Sequence, residues 1–257
     1  MYDYHVHSLY SDGGRFGAML EAAADAGVSA LGFADHCNLS PDPDRRRERA
    51  RYARTFDLTH ERRREALAAV REETELTVFD AVEVDYEPGA EEAIADFLAD
   101  AGFDYTLGSV HYVGDRYVFP WGSFADASEA ERRAFVDDYY ETVVSLIDSE
   151  LFDIAAHVDI VESHPHLSGF TTCEHAEMVA DAFERSRTVP ELNAGRFEDD
   201  DKPASFHPEG RVFEMLLDRG VEFTLGSDAH RPEDFAERIP ALRERAERYG
   251  LDPVCPL

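Results

Sequence analysis

The histidines of this chain fall at the ends of short apolar runs. His5-Val6-His7, Asp35-His36, Ser109-Val110-His111, Ala156-His157-Val158-Asp159 and Ser227-Asp228-Ala229-His230 each close such a run, and segments with the spacing of amphipathic helices separate them. A strand followed by a helix, repeated, builds a parallel sheet, and polar residues at the carboxyl ends of its strands share one rim. Six of the eleven histidines are therefore expected on that rim, together with Asp12, Glu83 and Asp228. Neutral imidazoles and carboxylates gathered in one place are the donors that divalent transition metals bind. The pattern implies a metal-dependent hydrolase.

Seven strands are predicted, over residues 1–7, 30–35, 76–85, 105–110, 154–157, 189–192 and 222–227. Helices are predicted over 16–26, 58–74, 90–101, 128–149, 172–186, 208–219 and near 241–249. Gly27, Gly102 and Gly220 each sit just past a helix, where a left-handed cap favours glycine. Strict alternation without a linker predicts a single domain over 1–257. The arginine-rich stretch Asp44–Arg54, after Pro41 and Pro43, reads as a solvated loop or short helix.

The formal charge of -30 comes from 55 acidic against 25 basic residues, and Lys202 is the only lysine. So anionic a surface repels nucleic acid and anionic membranes, which excludes both as generic partners. Acid excess with lysine depletion also fits a salt-rich cytoplasm, where self-repulsion is screened. Cys37, Cys173 and Cys255 show no CxxC spacing and suit free thiols in a reducing compartment. Cys37 follows His36, but its side chain is expected on the opposite face of the strand. No apolar stretch reaches membrane-spanning length, and no leader-like segment precedes the first strand. A cytoplasmic protein is expected.

His5 and His7 are two apart, on one face of a strand. Asp12 lies in a Ser-Asp-Gly-Gly turn before the first helix, as a ligand or as a turn residue alone. Glu83 and Asp85, also two apart, end the third strand, where an ionised carboxylate is costly unless paired or metal-bound. His36, His111, His157 and the Asp228/His230 pair close further strands. Nine oxygen or nitrogen donors exceed the needs of one ion and suit two to three, an arrangement used for phosphate ester hydrolysis. His and carboxylate donors fit Zn, Mn or Fe alike.

These residues resemble the PHP (polymerase and histidinol phosphatase) superfamily. The resemblance rests on His5-Val6-His7-Ser8 with Asp12-Gly13, on Asp35-His36, Glu83, His111 and His157, and on Gly226-Ser227-Asp228-Ala229-His230. The stretches Val82–Gly89 and Phe103–His111 are similar to its histidinol-phosphatase branch. The resemblance implies a distorted (β/α)7 barrel with a trinuclear site at the carboxyl ends of the strands. It further implies His5, His7, Glu83 and Asp228 on one ion, Glu83, His111 and His157 on a second, and Asp12, His36 and His230 on a third. The implied reaction is hydrolysis of a small phosphate ester, L-histidinol phosphate, in histidine biosynthesis, with Glu83, Asp228 and His230 as catalytic residues.

Two further positions concern substrate. Arg196, in Glu191-Leu192-Asn193-Ala194-Gly195-Arg196, is placed to fork onto a phosphate or to pair with Glu198 or Asp199. His164, in a loop after the fifth strand, is a candidate to close the pocket. Trp121 is read as a pocket wall or a packing residue, and His60, His175 and His207 as surface or helix residues. Rival readings are a PHP phosphoesterase acting on nucleotides, an amidohydrolase barrel and a non-catalytic PHP module. The amidohydrolase bridge needs a lysine on a mid-chain strand, whereas Lys202 lies in a loop signal. A degenerate module loses ligands, and here every motif is filled.

Overall fold

The computed structural model describes residues 1–119, 122–195 and 206–256. Its strands are β1 (Tyr2–Val6), β2 (Ala30–Asn38), β3 (Thr77–Asp85), β4 (Tyr105–Ser109), β5 (Tyr112–Val113), β6 (Arg116–Tyr117), β7 (Ile154–Ala155), β8 (Val189–Asn193) and β9 (Thr224–Gly226). Helices α1 (Phe16–Asp25), α2 (Pro43–Arg51), α3 (His60–Arg71), α4 (Glu91–Ala101), α5 (Glu129–Asp148), α6 (Cys173–Arg185), α7 (Gly210–Asp218) and α8 (Asp234–Tyr249) fill the connections.

Seven strands form one parallel sheet in the order β1-β2-β3-β4-β7-β8-β9. The sheet then closes on itself. Val6 bridges Ala229 in parallel, the His7 N–H donates to the Ala229 carbonyl at 2.9 Å, and the Asp228 N–H donates to the His5 carbonyl at 2.8 Å. The seven strands are those the alternation predicted, and their closure gives the (β/α)7 barrel that the PHP resemblance implied. Apolar stripes of the helices cover it: Met19, Leu20 and Ala23 of α1, and Val179, Ala180 and Phe183 of α6, are buried against the strands.

Two elements differ from the sequence expectations, and a third decides between the alternatives they left open. β5 and β6 form a hairpin between β4 and α5 that the strand–helix alternation did not contain. α8 begins at Asp234 rather than near Ala241, because Phe235, Ile239, Leu242 and Ala246 make one buried stripe across the interior Pro240. α2 is a true helix, started by Pro43 in the first turn and by the Asp42 carboxylate, which accepts from the Asp44 N–H.

The arginine-rich stretch is also less solvated than expected. Arg45 is buried with its guanidinium 3.7 Å from the Tyr112 ring centroid, and Arg54 is only 5 % exposed. Both find carboxylates, Arg45 on Glu87 and Arg54 on Asp85. Arg63 of α3 goes further and is fully buried. It donates to Asp35, to Asp80 and to the Phe33 and Ala81 carbonyls, with its guanidinium over the Phe56 ring. A buried cation is tolerated only with such partners. Among the described residues, no helix is long and apolar enough to cross a membrane.

Candidate metal centre

All nine predicted donors meet at the carboxyl ends of the strands. Parallel register puts His36 level with Glu83, and Asn38 level with Asp85. Glu83 is the hub. One of its oxygens, Oε2, lies 3.5 Å from His5 Nε2 and 3.7 Å from His7 Nε2, and also contacts His36 Nδ1. The other, Oε1, lies 3.1 Å from His157 Nε2 and 3.7 Å from His111 Nε2. Asp228 Oδ1 stands 3.0 Å from His7 Nε2. At the outer edge Asp12, 45 % exposed, reaches His230 Nε2 at 3.4 Å and His36 Nε2 at 3.8 Å.

Local backbone explains part of this placement. Asp228 and His157 both adopt positive φ, 53° and 32°. Left-handed backbone is strained for residues with a Cβ and persists where the surroundings over-determine it. Gly226 has no room for a side chain, since a Cβ there would overlap the Glu191 carboxylate. That space lets Glu191 Oε1 sit 2.9 Å from His5 Nδ1. The turn carrying Asp12 is tied down by Asp35, which accepts from the Ser8 N–H, the Ser8 hydroxyl and the Ser11 hydroxyl.

The donor set fits divalent cations. Three groups bring their ligand atoms within 4.8 Å of one another: His5, His7 and Asp228; His36, Glu83 and His111; and His7, Asp12, His36 and His230. Two imidazole nitrogens, His5 Nε2 and His7 Nε2, face each other at 3.1 Å. Glu83 Oε2 is buried without a hydrogen-bond partner despite the nitrogens around it. Opposed acceptors are unfavourable unless a cation or proton lies between them. Burial pushes the Glu83 carboxyl up, but His36 and His5 outweigh it and hold it well below the usual carboxylate range. Asp228 is likewise held well below its usual range, against burial, by His5 and His7. Burial, with Arg54 beside it, brings His111 down to about 4. Burial and His7 do the same for His230.

A PHP domain family model matches residues 3–195. The chain belongs to the PHP family. With the curated relative and the solved structure described next, it is a metal-dependent phosphatase of the hydrolase class. A Deinococcus radiodurans protein named "Probable histidinol-phosphatase" is 30% identical over 239 residues, covering 87% of this chain and 85% of the relative. The PHP barrel is also the fold of a histidinol phosphate phosphatase from Lactococcus lactis, solved with Zn, L-histidinol and phosphate. That structure superposes with a TM-score of 0.77 at 17% identity, covering 98% of this chain and 95% of that one.

The groupings depart in detail from those the PHP resemblance implied. His7 approaches the Asp12 group, and His36 stands with Glu83 and His111 as well as with Asp12 and His230. Cys37 points away from the centre into the core, as expected. His164 requires a correction: it is fully buried rather than open on the rim. Its Nδ1 accepts from the His166 N–H at 3.1 Å, its Nε2 lies 3.5 Å from Ser123 Oγ, and its ring meets Phe124 edge-on. His207 is buried too, with Nδ1 on Asp159 at 2.6 Å and Nε2 on Ser163 at 2.7 Å. His175 is a buried member of the α6 capping box. Arg196, Trp121 and Lys202 lie outside the described residues. The residues behind the donors, Asp85, Glu191 and Arg54, were not assigned from sequence.

Proposed function

We propose that this chain hydrolyses L-histidinol phosphate to L-histidinol and phosphate in histidine biosynthesis, as a cytoplasmic single-domain enzyme over 1–257 holding two to three divalent ions of Zn, Mn or Fe. The observation that carries this reading is the gathering of nine histidine and carboxylate donors at one rim, with five of the histidines around Glu83. His5, His7 and Asp228, then Glu83 with His111 and His157, then Asp12, His36 and His230 would hold the ions. Divalent ions in such a site supply Lewis-acid polarisation of phosphoryl oxygens and activation of water. Glu83 keeps its charge between the two sides and fixes their spacing. His230, partly exposed, and the buried Asp228 beside it are assigned to protonating the departing alkoxide. Arg196 is assigned to the phosphoryl group, which it suits as a planar fork. His164, buried in the loop after the fifth strand, is assigned to closing the pocket.

A phosphate-release panel with histidinol phosphate, nucleoside monophosphates and an aryl phosphate tests the assignment. Histidinol phosphate is expected to give the highest kcat/KM. A higher value for a nucleotide moves the chain to the nucleotide-acting reading. The charge of -30 further supports adaptation to high salt. The thermal midpoint is expected to climb from dilute buffer into molar KCl, and a flat curve would leave an acidic protein without that adaptation.

A further inference from the structure

His111 has a second shell built from parts of the chain that a plain barrel does not need. Its Nδ1 lies 2.6 Å from Asp85 Oδ1, 2.9 Å from Arg54 Nη1 and 3.2 Å from Ser109 Oγ. A guanidinium nitrogen donates only, and a carboxylate oxygen accepts only. Arg54 Nη1 makes its shorter contact with the same Asp85 oxygen and donates there, which leaves that carboxylate oxygen as the acceptor facing Nδ1, so the proton is on Nδ1 and is donated to Asp85. That tautomer leaves the Nε2 lone pair free on the side of Glu83, where a metal ligand requires it.

Asp85 can play this role only while it stays ionised and oriented. It is buried beside another carboxylate, Glu83, two residues away on the same strand face. Three donors hold it: Arg54 Nη1 and His111 on Oδ1, and the Asn38 amide on Oδ2 at 3.0 Å. Arg54 is in turn fixed by Tyr117, whose hydroxyl accepts from Nη2 at 3.1 Å. Arg54 comes from the segment after α2, and Tyr117 from the β5–β6 hairpin.

We propose that Asp85 is a positioning residue that fixes the metal-binding tautomer of His111, and that Arg54 acts through Asp85. Excursions from the barrel thus complete the donor set on this side. The proposal rests on the metal reading of the cluster.

Equilibrium competition for Zn2+ between the holoprotein and a chromophoric chelator tests it, with bound zinc rather than activity as the readout. Asp85→Asn is expected to weaken zinc retention by roughly 10- to 100-fold, the usual cost of an outer-shell partner. Arg54→Met is expected to weaken it in the same direction. Arg54→Lys, which keeps the cation, is expected to restore most of the loss. The double variant Asp85→Asn/Arg54→Met is expected to be no worse than Asp85→Asn alone, because both changes remove one device. The proposal is overturned if Asp85→Asn holds zinc as tightly as wild type. It is equally overturned if the Arg54→Met loss multiplies that of Asp85→Asn, or if Arg54→Lys behaves as Arg54→Met. Wild-type protein that takes up no zinc, manganese or iron overturns the metal reading itself, a different result from any of these.

Discussion

His5 and His111 contact opposite oxygens of Glu83 and are held by opposite means. His5 leans on Glu191 of β8, which is steadied by the Asn193 amide at 2.9 Å and the His157 N–H at 3.3 Å. Glycine at position 226 of β9 makes the space for it. Every support there comes from the barrel strands or the residues just past them. His111 leans on Asp85 of β3, but Asp85 leans on Arg54 and, through it, on Tyr117. One half of the centre is thus intrinsic to the barrel, and the other depends on excursions from it. Supports close in the sheet share its stability.

Substitutions can separate these halves. Glu83→Gln removes the charge shared by both and is expected to have the largest effect, a fall in kcat/KM beyond the roughly 100-fold that an outer-shell loss produces. Metal content should fall with it, and near-normal turnover at full metal content would show that Glu83 is not the hub. Glu191→Gln strikes the barrel half alone. It is expected to weaken metal retention by about 10- to 100-fold without disturbing the Arg54–Tyr117 contact, whose integrity can be followed from the tyrosine fluorescence of the hairpin. Tyr117→Phe strikes the dependent half at its outermost point. It removes one hydrogen bond, worth about 0.5–1.5 kcal/mol, and should lower the thermal midpoint slightly while costing little metal. A Tyr117→Phe loss as large as that of Glu191→Gln would erase the distinction between the halves.

The barrel half was legible in the sequence because its information is local. His5-Val6-His7 alternates on a strand, and Gly226-Ser227-Asp228-Ala229-His230 ends one, so period and punctuation place the side chains. Glu191 sat in the stretch that was read for Arg196, but its partner His5 is 186 residues away, and nothing in either stretch names the other. The dependent half was opaque for a further reason. Arg54 closes a run of arginines that composition assigns to solvent, and only folding reveals its carboxylate 31 residues on. Arg63 carries as little signal, as a helix arginine whose neighbours Arg62 and Arg64 are both more exposed. His164 erred in the other direction, since a loop histidine beside proline carries no signal of burial. α8 was foreshortened because Pro240 interrupts a pattern that the buried stripe continues.

The donors His7 and Asp228 lie 221 residues apart along the chain yet face each other across the seam where the last strand meets the first. A chain emerging from synthesis holds its first two histidines long before it holds the aspartate that faces them. Contacts of such long sequence separation form slowly. An ion held by these two donors would be captured late in maturation and would double as a clasp, resisting the parting of strands that would open the barrel. Chelation should accordingly do more than silence the centre. It should raise the rate of spontaneous unfolding, in proportion to how much of that joint the ion was closing.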